Sequence, residues 1–154
     1  MSILDFFKPK PKDTISKSDL ATLISQSIPF GSRVWGGSTP KSDFDFVLPA
    51  SYALGSAWKR VNQYLYDKSP WINFTFTYTY QGRVYQFCVP YSSDQSKVLT
   101  SIEIMNSLSK HYDVSNRKAR HTTFEAIVDI LSGIPNSSPI ANEFISKHFP
   151  EYLI

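Results

Sequence analysis

Apolar and polar residues change their period several times along the 154-residue chain, and each change predicts an element. Leu20, Leu23, Ile24 and Ile28 recur three or four residues apart, the spacing that lines one side of a helix. Ser16 with Asp19 supplies a capping pair at its start, so a helix is expected over 17–28. Residues 29–35 suggest a short strand. Gly31, Gly36, Gly37 and Pro40 then mark tight turning, and residues 43–48 alternate as a second strand. Residues 50–67 predict another helix, with Leu54, Trp58, Val61 and Leu65 on one side. The strictest alternation is at 73–80, where Phe74, Phe76, Tyr78 and Tyr80 interleave with Asn73, Thr75, Thr77 and Thr79. Gln81 and Gly82 turn the chain, and 83–89 returns as the hairpin partner. A helix is expected at 97–110 and a weak strand at 112–119. Thr122 or Thr123 is expected to cap a helix ending at Gly133, and Pro139 opens a last helix to about 149. No internal repeat is present. Helix, strand, strand, helix, hairpin, then helices is the order of an α/β (α+β) mixed sheet with helices packed against it.

The first 13 residues, MSILDFFKPKPKD, break this pattern. A short apolar cluster runs into alternating lysine and proline, which disfavours helix and predicts an extended, solvated tether. The chain therefore divides into an N-terminal peptide (1–13) and one domain (14–154). Composition fits a globular domain, with 42% hydrophobic and 19% charged residues. The 11 Phe, 9 Tyr and 3 Trp favour sheet and core. A net charge of +3 and a pI near 8.9 permit a nucleic-acid partner without demanding one. The single cysteine, Cys88, excludes an internal disulfide and is expected to be buried and inert. No Cys/His cluster suggests zinc, no apolar run approaches the roughly 18 residues of a membrane span, and no long apolar signal segment opens the chain. The expectation is a soluble protein of a reducing cytoplasm (a host's, if the chain is viral) with no membrane partner.

The chemistry is concentrated in one segment, GSRVWGGSTPKSDFDFVL, residues 31–48. Asp43 and Asp45 stand at i and i+2 on a predicted strand, so they share a face. Two crowded carboxylates repel unless a cation sits between them, and Mg2+ is suited to that place because it accepts one or two carboxylates and completes its shell with water or phosphate oxygens. Phe44, Phe46, Val47 and Leu48 bury the strand. Gly31 allows close approach of backbone to a phosphate, Ser32 adds a hydroxyl, and Arg33 can pair with phosphate oxygens.

This arrangement resembles the nucleotidyltransferase superfamily, including the polymerase-β-like and small phage-encoded members, whose pattern is Gly-Ser followed after about ten residues by Asp-x-Asp between apolar residues. The resemblance implies a nucleotidyltransferase-like fold. It also implies that Gly31 and Ser32 bind a nucleoside triphosphate and that Asp43 and Asp45 are the catalytic metal ligands. The predicted element order extends the likeness to about 17–131. Active members usually add a third carboxylate from a following strand. Here that strand, 84–89, carries Gln86, which has neither charge nor basicity. Asp113 and Asp94 are the alternatives.

The N-terminal peptide resembles a sliding-clamp-binding motif over residues 2–10, with Ile3 three positions before the aromatic pair Phe6 and Phe7 and lysines following. The glutamine that usually leads the motif is missing. One helical turn would present Ile3, Phe6 and Phe7 to an apolar pocket on a DNA sliding clamp and tie the protein to replication or repair. Two functions follow. One is Mg2+-dependent transfer of a nucleotidyl group to a hydroxyl acceptor, nucleic acid among the candidates. The other is a catalytically degenerate fold acting as an adaptor or inhibitor on a clamp. Tyr80 and Tyr85 read as packing residues, Arg117, Lys118, Arg120 and His121 as a solvated basic face, and His111, His121 and His148 as surface or structural histidines.

Overall fold

The computed structural model describes residues 13–50 and 72–153. The predicted helix at 50–67 therefore falls almost wholly outside the described residues, as do Ile3, Phe6 and Phe7 of the N-terminal peptide. The elements run β1 (Asp13–Thr14), α1 (Lys17–Ser25), β2 (Ile28–Phe30), a one-turn α2 (Ser32–Trp35), β3 (Phe44–Val47), β4 (Ile72–Tyr80), β5 (Arg83–Pro90), α3 (Gln95–Leu108), α4 (Arg117–Leu131), α5 (Pro139–His148) and a 3-10 turn (Pro150–Leu153). Five strands form one mixed sheet in the order β1-β4-β5-β3-β2. β3 lies parallel to β5, while β2–β3 and β4–β5 are antiparallel. The mixed α/β class expected from the pattern is what the chain adopts.

The sheet has two unlike faces because its strands alternate. Phe46, Leu48, Phe74, Phe76, Tyr78, Phe87 and Val89 form one apolar layer with Leu20 and Leu23 of α1. Aromatic rings step across the strands within it: Phe44 stacks on Tyr85 at 4.8 Å, and Phe87 meets both Phe46 and Phe76 at 5.4 Å. On the opposite face Val47 packs against Val98 and Ile102 of α3. A second apolar cluster then joins α2, α3, α4 and α5 through Trp35, Met105, Leu108, Ile127, Phe144 and Ile145. Thr75 and Thr77, the polar set of the alternating strand, are also buried, so β4 is covered on both sides and not half solvated.

Local chemistry explains most element ends. The Ser16 hydroxyl accepts from Asp19 N, as its spacing predicts. Gln81 (φ 50°) and Gly82 (φ 74°) both take positive φ, the geometry of a tight hairpin turn whose twist matches the strands it joins. Two expectations are corrected. Residues 29–35 are not one strand: β2 stops at Phe30 because Gly31, at φ 84°, reverses the chain into α2. The segment 112–119 is not a strand either. Asn116 caps α4 by accepting from Lys118 N and Ala119 N, so that helix begins well before Thr122.

Phe87 is fully buried at the crossing of these ring contacts. Phe87→Ala is expected to cost about 3–5 kcal/mol of stability, the range for deleting a buried aromatic ring. Urea denaturation of the two proteins measures it, and a loss below about 1 kcal/mol would show that the sheet face repacks around the gap.

Candidate functional site

The site grows from the way β3 is inserted in the sheet. Asp45 pairs with Phe30 of β2 on one side and with Gln86 of β5 on the other. Thr77 of β4 lies next in the same row. Paired residues of neighbouring strands share a face, so Asp45, Gln86 and Thr77 form a polar row across the sheet. The position expected to hold a third carboxylate is therefore filled by Gln86, directly beside Asp45.

Gly31 faces the same carboxylate. A Cβ added to it would meet Asp45 Oδ2 at 2.5 Å and Asp45 Cβ at 3.2 Å. Only glycine tolerates both that crowding and a φ of +84°. The Gly31 carbonyl accepts from Val34 N and Trp35 N at 3.0 and 2.8 Å, which closes the α2 turn and sets Ser32 at its start. The structure thus brings the glycine-serine turn against Asp45, with Asp43 close enough to act on Asp45 electrostatically.

Burial, first, and then the charge of Asp43 push the Asp45 carboxyl up to about 7, while the nearby Arg33 guanidinium pulls it down. A second carboxylate and partial desolvation both favour a neutral Asp45 when no other cation is present. Arg33, expected at a phosphate, directs its Nε and Nη2 donors to the loop. Its Nε and Nη2 donate to Ser42 O at 3.1 and 2.7 Å, Nη2 also reaches Thr39 O and Pro40 O at 3.3 Å, and the guanidinium lies 3.9 Å over the Phe44 ring. It thereby holds the 39–42 turn that delivers Asp43.

The other expected acids stand elsewhere. Asp113 accepts from Ser115 N and Ser115 Oγ at 3.0 and 2.6 Å, which keeps its carboxyl below the ordinary range. Asp94 is the N-cap residue of α3. Among the described residues no three His, Cys, Asp or Glu side chains gather where they could hold a metal ion. Asp43 and Asp45 are the two carboxylates that could hold a cation at this place.

Of the basic run, Arg120 turns inward: its Nη1 donates to Gly36 O at 2.8 Å and to Ser115 O, tying α4 to the loop after α2. Arg117, Lys118 and His121 are exposed. His111 and His148 stack at 5.5 Å beside Phe144. Tyr80 and Tyr85 pack against the aromatic layer. Cys88 is buried, and burial above all pushes its thiol up to about 12, so it stays neutral. Periodicity reveals neither Arg120 nor Asn106, whose amide reaches both Pro29 and Trp35. Their partners lie far away in sequence, and a polar residue on a helix carries no mark of such a contact.

No protein-family model, no curated protein and no solved structure matches this chain.

The raised Asp45 pKa has a direct consequence for stability. The native state holds the Asp45 proton more tightly than the unfolded chain does. Its contribution is therefore full below about pH 4 and is lost as pH rises through about 7. Without divalent cations, Asp45→Asn is expected to raise Tm. The gain over wild type should grow between about pH 4 and 7 and level off above, reaching several degrees at about 2–4 °C per kcal/mol for a chain of this size. Thermal melts across that pH range in EDTA check it, and a pH-independent difference would refute it.

Proposed function

We propose that residues 31–45 form a magnesium-nucleoside triphosphate site and that the protein transfers a nucleotidyl group from it to a hydroxyl acceptor, as the resemblance to nucleotidyltransferases implies. The observation that carries this reading is the contact between Gly31 and Asp45. A chain reversal with no side chain lies against a desolvated carboxylate, itself beside a second one, and this combination is costly unless a cation and its anionic partner complete it. Asp43 and Asp45 would hold the magnesium, and Gly31 and Ser32 would receive the triphosphate. Bound magnesium would neutralise charge on the phosphates during transfer.

In this scheme the acceptor oxygen bonds to the α-phosphorus and the bond from that phosphorus to the bridging oxygen breaks. Pyrophosphate leaves, and the hydroxyl proton passes to solvent. The chain's own contribution is alignment: β2 and β5 fix Asp45, Arg33 fixes the turn before Asp43, and Gly31 keeps the approach open. The acceptor, nucleic acid or another hydroxyl compound, is set outside these residues. Transfer of label from an α-labelled triphosphate tests the reading. Asp43→Asn combined with Asp45→Asn should reduce it by about 10³-fold or more, and undiminished transfer by the folded double mutant would end it.

A second reading is favoured by the Asp45–Gln86 register pair. With an amide where a third carboxylate would stand, the domain binds magnesium nucleotide without transferring it and serves as an adaptor or inhibitor on a sliding clamp through residues 2–10. Clamp titration separates the two. Phe6→Ala with Phe7→Ala should abolish binding on this reading, and no binding by the intact chain would reject it. Gln86→Glu should then create transfer activity where the wild type has none.

A further inference from the structure

Asn106 of α3 joins the two segments that flank the glycine-serine turn. Its Nδ2 donates to Pro29 O at 2.9 Å, and its Oδ1 accepts from Trp35 Nε1 at 2.6 Å. Pro29 is the middle residue of β2 and Trp35 the last of α2, so the amide spans the mouth of the loop that contains Gly31 and Ser32. The orientation of this amide is not ambiguous, because a carbonyl only accepts and an indole N–H only donates.

Each anchor of the bridge is itself fixed. The Trp35 ring is buried and packs against Phe30 at 5.9 Å and Phe124 at 5.4 Å, so the indole N–H has one direction. Pro29 is held by the pairing of β2 with β3, which is the pairing that sets Phe30 beside Asp45. Asn106 is carried on a helix whose neighbouring Ile102 and Met105 are fully buried. Between these anchors only Gly31 to Val34 remain to be ordered, and Gly31 is the residue with the widest conformational freedom.

We propose that Asn106 is the positioning residue of the Gly31–Ser32 turn, holding it in the shape that receives the triphosphate without itself touching the nucleotide. This rests on the nucleotide-binding reading above. A turn left to fluctuate must be ordered each time a ligand binds, and that ordering subtracts from affinity. A turn bridged in advance does not incur this loss. Because the bridge needs a donor and an acceptor on one short side chain, aspartate cannot replace it: the carboxylate would accept from Trp35 but confront Pro29 O with a second acceptor.

The experiment has two arms. In the first, amide hydrogen exchange is followed at residues 31–35 without any nucleotide. Asn106→Ala, Asn106→Asp and Trp35→Phe, which keeps an aromatic side chain but removes the N–H, should each speed exchange there while leaving β4 and β5 unchanged. In the second, affinity for the four magnesium ribonucleoside triphosphates is measured on the same proteins. The triphosphate that wild type binds should bind about tenfold more weakly to all three variants. In turnover the loss should fall on KM with kcat little changed, whereas a merely structural role would lower the folded fraction and leave KM intact. Asn106→Gln, which retains donor and acceptor, should recover part of the affinity. If Asn106→Ala does not fold, Trp35→Phe carries the test. Unaltered exchange, or faster exchange with unaltered affinity, overturns the positioning role. Faster exchange in the variants, with a wild type that binds none of the four triphosphates, instead overturns the nucleotide reading, and the positioning role with it.

Discussion

The structure depends on one unfavourable placement that is held from every side: a carboxylate inside a sheet. Asp45 sits between two hydrogen-bonded strands, with a second acid two residues away and a glycine backbone pressed against it. Burial and like charge both act to neutralise it, and one guanidinium works in the opposite sense. Such a group persists only where surrounding packing over-determines its position. Here that packing is the aromatic layer beneath β3 and the helical layer above β2, which leave the strand no alternative register.

The same layers explain how a short segment can be both irregular and well defined. Residues 31–43 contain little regular structure, yet three side chains from different places hold them. Arg33 works from within, gathering the carbonyls of 39, 40 and 42. Asn106 works from α3 and Arg120 from α4. The apolar clusters fix the helices, and the helices hold the loop through single polar side chains. Stability and site geometry are thus separate products of one packing arrangement: the rings of Phe76 and Phe87 support the sheet, and the amide of Asn106 shapes what lies at its edge.

The parts of this architecture legible in the sequence are those governed by local period and local capping. The alternation from Asn73 to Tyr80 and the Gln81–Gly82 turn give the hairpin, Ser16 and Asp19 give the start of α1, and Gly133 and Pro139 bracket the last connection. The aspartate pair and the glycine-serine word were visible as a motif, and the structure sets Gly31 of that word against Asp45. Less legible were ends set by a single residue's conformation or cap against the local period, and contacts decided by distant partners. β2 ends at Phe30 because of a glycine conformation, and α4 begins at Arg117 because an asparagine caps it, although a β-branched valine nearby favours strand. The bonds of Arg33 to the carbonyls of 39, 40 and 42 were likewise not legible in the sequence. Those carbonyls come from a turn whose closure no periodicity encodes.

The two-residue turn between β4 and β5 also bears on how the molecule comes to exist. Those strands are neighbours in the chain and can zip together within microseconds, at little cost in closing a loop. β3 must instead find β5 with about forty residues intervening between Asp45 and Gln86. By sequence separation, the β4–β5 hairpin closes at a lower entropic cost than the β3–β5 pairing. Asp45 is shielded from water only where β3 lies between β2 and β5. A chain that has not yet paired β3 with β5 carries Asp45 hydrated, so its raised carboxyl is a property of the assembled sheet alone.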